Sequence, residues 1–182
     1  MNLFGPNESA SDGSYEWADE EGVTRWNATY DGAGHIIQMN NDDGGSLNGV
    51  LIYLFTWKDG LLTKIEEANT GNIVTFSYAN SALKNLFKTF DLNWVLAKEL
   101  ETLDFAAGDV DKIWASLGYL GVSSTLLATE ISEYRKEDNL TYTYRMNYEH
   151  YDSGKIKVNV AHLVNGKQDS YAVWNFKFTN IK

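Results

Sequence analysis

The sequence predicts an all-β domain: an antiparallel meander of about 8–10 strands, forming a curled sheet or open barrel, with a short partly helical insert in the middle. Three observations carry this. Most of the chain alternates apolar and polar residues with period two, the side-chain period of a strand. Asn, Asp and Gly clusters separate the alternating runs. An aromatic residue, a polar turn and an aliphatic run recur in that order along the first half.

Residues 1–14 (Met1 to Ser14) are rich in Asn, Ser, Gly and Asp and show no periodicity, so they read as a flexible leader. They lack the basic start and apolar run of a signal peptide. Residues 15–182 read as a single β-rich domain. Tyr30-Asp31-Gly32-Ala33-Gly34-His35-Ile36-Ile37 predicts a hairpin, as does Trp57-Lys58-Asp59-Gly60-Leu61. Tyr78-Ala79-Asn80-Ser81-Ala82 is a weaker version. Together they form a weak internal repeat. Each aromatic is expected to pack on a cross-strand neighbour and leave its polar atom near water. Asn40 to Ser46 reads as a polar loop without calcium-loop spacing. Both faces of Leu51–Trp57 are apolar, which predicts a strand covered on both sides.

Lys84–Thr129 breaks the pattern. Leu92–Leu100 is compatible with helix, and Asp109 caps a second helical run ended by Gly118 or Gly121. This predicts a partly helical crossover segment, 84–129, packed on the sheet through Trp94, Ile113, Trp114, Leu117 and Leu120. Beyond it, Tyr142, Tyr144, Met146, Tyr148 and His150 share one strand face, and Thr141, Thr143, Arg145, Asn147 and Glu149 the other. Ile156, Val158, Val160 and His162 alternate likewise, as do Ala172, Trp174, Phe176 and Phe178. Between those runs, Val164-Asn165-Gly166-Lys167 predicts a type I′ turn.

Composition narrows the function classes. The chain has 182 residues and no Cys, so it holds no disulfide, thiolate metal site or cysteine nucleophile. Its net charge of −10 argues against nucleic acid. No run approaches the roughly 20 apolar residues of a spanning helix. Residues 1–50 hold nine acids and one base, while 139–182 hold three acids and six bases. A sheet pairing its acidic start with its basic end would gain modestly. Arg145, Glu149, Lys155 and Lys157 interrupt any lipid-facing band of a membrane barrel.

The Tyr-Asp-x-x-Gly hairpins look like the tyrosine-aspartate repeats of bacterial secreted shell proteins. The order Asp91-Leu92-Asn93-Trp94, then Leu117-Gly118-Tyr119-Leu120-Gly121-Val122-Ser123-Ser124, then Tyr142-Thr143-Tyr144 resembles a family of small secreted proteins of unknown function from gut anaerobic bacteria, with a porin-like fold. The likeness covers residues 24–178. It implies export to the periplasm, outer membrane or cell surface, often with a lipid anchor, and it brings no catalytic residues. Three departures stand out. The hairpin at Tyr78 lacks its turn Gly, no Pro follows Ser124, and an anchoring Cys lies upstream of Met1 or is absent.

Candidate chemistry is sparse. His35, His150 and His162 show no metal-ligand spacing. Glu66/Glu67 and Glu99/Glu101 give no reason to prefer any glycosidase-like pair. Ser123-Ser124 has no His at a recognisable position, and the common nucleotide, hydrolase and metalloprotease motifs are absent. No catalytic, cofactor or metal residue is assigned. The ligand-contact candidates are aromatic: Trp17, Trp26, Tyr142, Tyr144 and Tyr148. Three functions follow as expectations: an exported non-enzymatic module binding a glycan or protein, a carrier of an apolar ligand inside the sheet, and a hydrolase with dispersed carboxylates.

Overall fold

The computed structural model describes residues 14–19, 22–42, 52–80, 82–84, 93, 122–151 and 155–177. Ten strands form one antiparallel sheet in the order of the chain. They are β1 Ser14–Asp19, β2 Gly22–Tyr30, β3 Ile36–Asp42, β4 Ile52–Lys58 and β5 Leu61–Glu67. The second half holds β6 Asn72–Ser77, β7 Glu130–Arg135, β8 Leu140–Tyr151, β9 Lys155–Val164 and β10 Lys167–Lys177. Every strand pairs with its sequence neighbours, and among the described residues no pairing joins β1 to β10. The predicted meander is therefore present as an open sheet. Its acidic start and basic end stand at opposite edges, so they do not pair as the charge pattern suggested.

Turn chemistry sets the register. Asn165 (φ 46°) and Gly166 (φ 78°) close β9–β10 as the sequence predicts, and Asp59 (φ 53°) and Gly60 (φ 73°) close β4–β5. Ser14 already pairs with Asn27, so the sheet starts one residue inside the predicted leader. Asn40, Asn41 and Asp42 belong to β3 rather than to a loop. After Tyr78 the chain turns, with Ala82 N–H donating to Ala79 O, and among the described residues the next strand is β7, which pairs with β6. The weaker hairpin pattern at Tyr78 thus marks an exit from the sheet.

The first two hairpins are built alike. Pairing slips beside Tyr30, where Thr29 faces Gln38 but Tyr30 faces Ile36. It slips again beside Trp57, where Thr56 faces Lys64 but Trp57 faces Leu62. Each bulge adds one residue, Ile37 or Thr63, and so turns residues three apart to the same face. Ile36 and Met39 are both buried, as are Leu62 and Ile65, while Ile37 is 38% exposed. The core lies on this face, with Tyr53, Phe55, Val74, Phe76, Ile131, Met146, Val158 and Val160. Leu54 on the opposite face of β4 is 36% exposed. The two-sided burial predicted for Leu51–Trp57 is therefore incorrect: one face supplies the core and the other meets solvent.

Residues 122–129 cross the hairpin ends in extended form. Val122 N–H donates to Gly34 O (2.9 Å), Thr125 N–H to Gly60 O (3.3 Å) and Thr129 N–H to Ser77 O (2.8 Å). Ser124 Oγ accepts from Leu62 N–H (3.0 Å). A Cβ on Gly34, whose φ is +85°, would lie 3.2 Å from Val122 Cγ2, so both backbone conformation and this close approach call for glycine. Asn93, with helical backbone and no exposure, clamps the crossing segment. It donates to Leu126 O (3.0 Å) and accepts from Ala128 N–H (2.7 Å). The predicted crossing of the sheet is seen over 122–129 without helix. Residues 85–92 and 94–121, with Trp94, Ile113, Trp114, Leu117, Leu120 and, apart from helical Asn93, both predicted helical runs, lie outside the described residues.

Candidate functional site

Strands β8–β10 carry a polar surface on the face turned away from the core. Inward anchors fix it: Met146, Val158 and Val160 are buried, so period two sends their chain neighbours outward. The register then aligns three rows. Glu149 faces Lys157, Asn147 faces Asn159 and then Val173, and Arg145 faces Ala161 and then Tyr171.

These rows form a continuous network. Lys157 Nζ donates to both carboxylate oxygens of Glu149 at 3.1 Å. Asn159 Nδ2 donates to Glu149 Oε1 at 2.8 Å, and Tyr171 Oη donates to Asn159 Oδ1 at 2.9 Å. Arg145 Nε reaches Glu130 Oε2 at 2.8 Å beside it. An open depression of about 530 Å³ runs over Arg145, Asn147, Glu149, Lys157, Asn159 and Tyr171. Its charges balance, with Arg145 and Lys157 against Glu130 and Glu149. Tyr171 is 59% exposed and Val173 44%. Sequence reasoning placed the charged residues on this face but passed over Tyr171, one aromatic in a run whose inward neighbours drew attention.

The inner face of β7–β9 holds a second polar cluster. Glu133 is 4% exposed, and Arg135 Nε pairs with its Oε1 at 3.1 Å. Its Oε2 is buried and has no hydrogen-bond partner. Burial pushes the Glu133 carboxyl above the ordinary value, Arg135 partly opposes this, and the nearby charges of Asp138 and Glu67 reinforce it. The native state therefore binds this proton more readily than the unfolded chain. Stability from Glu133 falls as pH rises from the ordinary glutamate range through the raised native value. Melting temperatures of wild type and Glu133→Gln should diverge across that window, with wild type losing ground as pH increases. Parallel curves would refute the assignment.

The predicted contact residues scatter. Tyr144 and Tyr148 pack against the core, and Tyr148 Oη donates to Ala128 O. Tyr144 stacks on His162 at 4.7 Å and Tyr142 at 6.1 Å, with the Arg135 guanidinium 4.7 Å over the Tyr142 ring. Trp17 and Trp26 lie in β1 and β2, the first paired with Thr24 and the second with Tyr15; their side chains are outside the described set. The structure brings Tyr142, Tyr144 and Tyr148 together on the inner face and leaves the two tryptophans near the far edge.

The remaining chemistry is local. Asp31 Oδ1 accepts from the backbone N–H groups of Ala33 and His35 (both 2.9 Å), and Asp31 Oδ2 lies 3.0 Å from His35 Nδ1. The His35 backbone N–H first, and its side chain second, hold the Asp31 carboxyl below its ordinary value. His162 Nδ1 lies 3.2 Å from Asp169 Oδ2, and its Nε2 is buried without a partner. Among the described residues no cluster of three His, Cys, Asp or Glu side chains is placed to hold a metal. Among them, too, no helix is long and apolar enough to cross a membrane, which does not bear on crossing by strands.

No protein-family model matches the chain, and no curated protein matches it. Among solved structures it is similar to a porin-like protein from Bacteroides uniformis, with TM-score 0.56 and 14% identity over 88% of this chain. The chain spans 65% of that protein's length. At this identity the likeness shows the fold, a porin-like all-β architecture.

Proposed function

We propose that the chain is an exported bacterial binding module that holds a neutral glycan on the outer face of β8–β10 without catalysis. One observation carries this reading: the hydrogen-bonded row Lys157–Glu149–Asn159–Tyr171 lies on an open surface and ends at an exposed ring. Carboxylate, amide and ammonium groups pair with sugar hydroxyls, while a phenol ring offers a flat apolar surface to a sugar's C–H face. Balanced charge favours a neutral sugar over an ionic one. Trp17 and Trp26, on β1 and β2 at the other end of the strand order, stay proposed as contacts of a separate surface rather than of this one. Tyr144 and Tyr148 serve it indirectly, by anchoring β8 on the core.

Export to the periplasm or cell surface, with a lipid anchor upstream of Met1, is part of the same proposal. It is supported by the porin-like likeness and by the hairpin pattern that suggests a secreted family. An apolar cargo is less favoured, because exposed Leu54 removes the two-sided strand that motivated it.

A glycan array followed by calorimetry tests the reading. Tyr171→Ala and Asn159→Ala should each weaken the best hit by about tenfold, the loss of one contact worth about 1.4 kcal/mol. Leu54→Ala, on the same face but on a distant strand, should leave affinity unchanged. An array without hits, or a Tyr171→Ala variant that binds as wild type does, overturns the proposal. Capture of a peptide at the same residues would replace glycan by protein as the ligand.

A further inference from the structure

The outward groups of β8–β10 are engaged unevenly. At one end, both oxygens of Glu149 accept from Lys157, and Oε1 accepts from Asn159 as well. Asn159 in turn uses its amide nitrogen on Glu149 and its amide oxygen on Tyr171. At the other end, Arg145 gives only its Nε, to Glu130 Oε2. Among the described residues, the two terminal nitrogens of Arg145, Glu130 Oε1 and the side-chain amide of Asn147 have no partner. Arg145 and Asn147 are exposed and stand two residues apart on one face of β8, about 6–7 Å along the strand.

Register places Tyr171 across from them. Arg145 faces Ala161 and Ala161 faces Tyr171, so the two long side chains rise about 10 Å apart, twice the strand spacing, with one methyl group between them. A phenol that reaches Asn159, one row along β9, must lean along the sheet rather than stand out from it. The ring therefore lies as a platform with a face to solvent, held by its own hydroxyl. Arg145, Asn147, Ala161 and Tyr171 all line the depression.

We propose that one pyranose residue sits on the Tyr171 ring above Ala161, with adjacent hydroxyls on the terminal nitrogens of Arg145 and on Asn147. This rests on the glycan reading of the same face, and it assigns which groups contact the sugar and which only position them. A guanidinium directs two parallel N–H bonds, which match two neighbouring oxygens of a ring. Beside it, Glu130 Oε1 accepts, and the Asn147 amide both donates and accepts, so hydroxyls, which also do both, find each kind of partner. A ligand carboxylate only accepts, and it would lie against Glu130 and Glu149. Lys157, Glu149 and Asn159, already bonded to one another, are positioning residues for the Tyr171 platform. Ala161 is the specificity-determining residue, because a larger side chain there would fill the place of the sugar.

NMR titration of the isotope-labelled chain with methyl glucopyranoside, methyl mannopyranoside and methyl galactopyranoside tests this. With a glycoside that binds, the side-chain signals of Asn147 and Arg145 should shift, while the amide of Asn72, bonded to Glu67 on the inner face, should not. Arg145→Lys keeps the charge but loses the fork, and it should weaken binding about tenfold, as should Asn147→Ala. A deoxy glycoside lacking one of the paired hydroxyls should lose at least about tenfold, because a polar group of the site is left unpaired. Ala161→Leu should weaken binding by more than Arg145→Lys does. Lys64→Ala, which removes a cation from the same outer face on β5, should leave affinity unchanged. Arg145→Lys binding as wild type does, while Tyr171→Ala still loses affinity, overturns this assignment and leaves the glycan reading standing. Silence from all three glycosides, where a longer glycan still binds through Tyr171, overturns the single-residue site. A methyl glucuronide bound more tightly than the glucoside overturns the preference for hydroxyls. Absence of any glycan binding overturns the reading beneath, and this assignment with it. Should Ala161→Leu fail to fold, Arg145→Lys and the deoxy glycosides decide.

Discussion

Asn93→Ala should lower the unfolding free energy by about 2–4 kcal/mol, because it strands two backbone groups in a buried place. The side chain has no exposure and serves both Leu126 O and Ala128 N–H, a carbonyl and an amide two residues apart on the crossing segment. That segment is extended but has no continuous neighbouring strand to satisfy it. Among the described residues its other backbone N–H groups donate singly to Gly34, Gly60, Ser77 and Leu83, while Ala128 O and Thr129 O accept from Tyr148 Oη and Met146 N–H. Removing Asn93 therefore loosens Leu127 and Ala128, which sit in the core at 2% and 0% exposure. Urea unfolding measures the loss. Asn93→Asp sharpens the test: a carboxylate still accepts from Ala128 N–H but offers no donor to Leu126 O. It should cost at least as much at neutral pH and recover in acid as the carboxyl takes up a proton. A loss below about 0.5 kcal/mol for Asn93→Ala, the usual range of surface changes, would remove the clamp role.

Asn93 also shows what a sequence hides. It stands in the Asp91-Leu92-Asn93-Trp94 motif, yet its partners lie 33 and 35 residues away, beyond any local periodicity. By contrast, the β9–β10 turn was readable because Asn165-Gly166 encodes positive φ locally. The turns at Gly71 (φ 79°) and Asn139 (φ 55°) escaped notice, since the charged strands around them alternate poorly. Period two failed at Ile36/Met39 and Leu62/Ile65 because a bulge, set by pairing with another strand, inserts a residue. On the candidate site, alternation did assign Arg145, Asn147, Glu149, Lys155 and Lys157 to one face. Tyr171 was missed because exposure at a sheet edge depends on which strand comes last, a property of topology rather than of composition.

Trp57→Ala is expected to cost about 3–5 kcal/mol, the range for truncating a large packed aromatic. The reason goes beyond area. Trp57 ends β4 beside the bulge, and its Nε1 donates to Ile36 O of the preceding hairpin at 2.7 Å. Tyr78, at the corresponding point after β6, donates from Oη to Leu62 O at 2.7 Å. In each case the aromatic of one unit binds the first inward residue after the turn of the unit before it. The polar atom thus serves the sheet, contrary to the expectation that it would sit near water. Trp57 also stacks on His35 at 4.4 Å, with the rings 24° apart, and Asp31 holds that imidazole. Variants separate these contributions. Trp57→Phe keeps the ring but abandons Ile36 O, at a cost of about 1–2 kcal/mol, and Tyr78→Phe should lose a similar amount. A double-mutant cycle between Trp57→Ala and His35→Ala should return a coupling of about 0.5–1.5 kcal/mol. Hydrogen exchange should then quicken first in β2–β5, where these contacts join the two hairpins, and later in β8–β10. Equal quickening across the sheet would mean that Trp57 acts as bulk core; a coupling near zero would confine its role to the bond with Ile36.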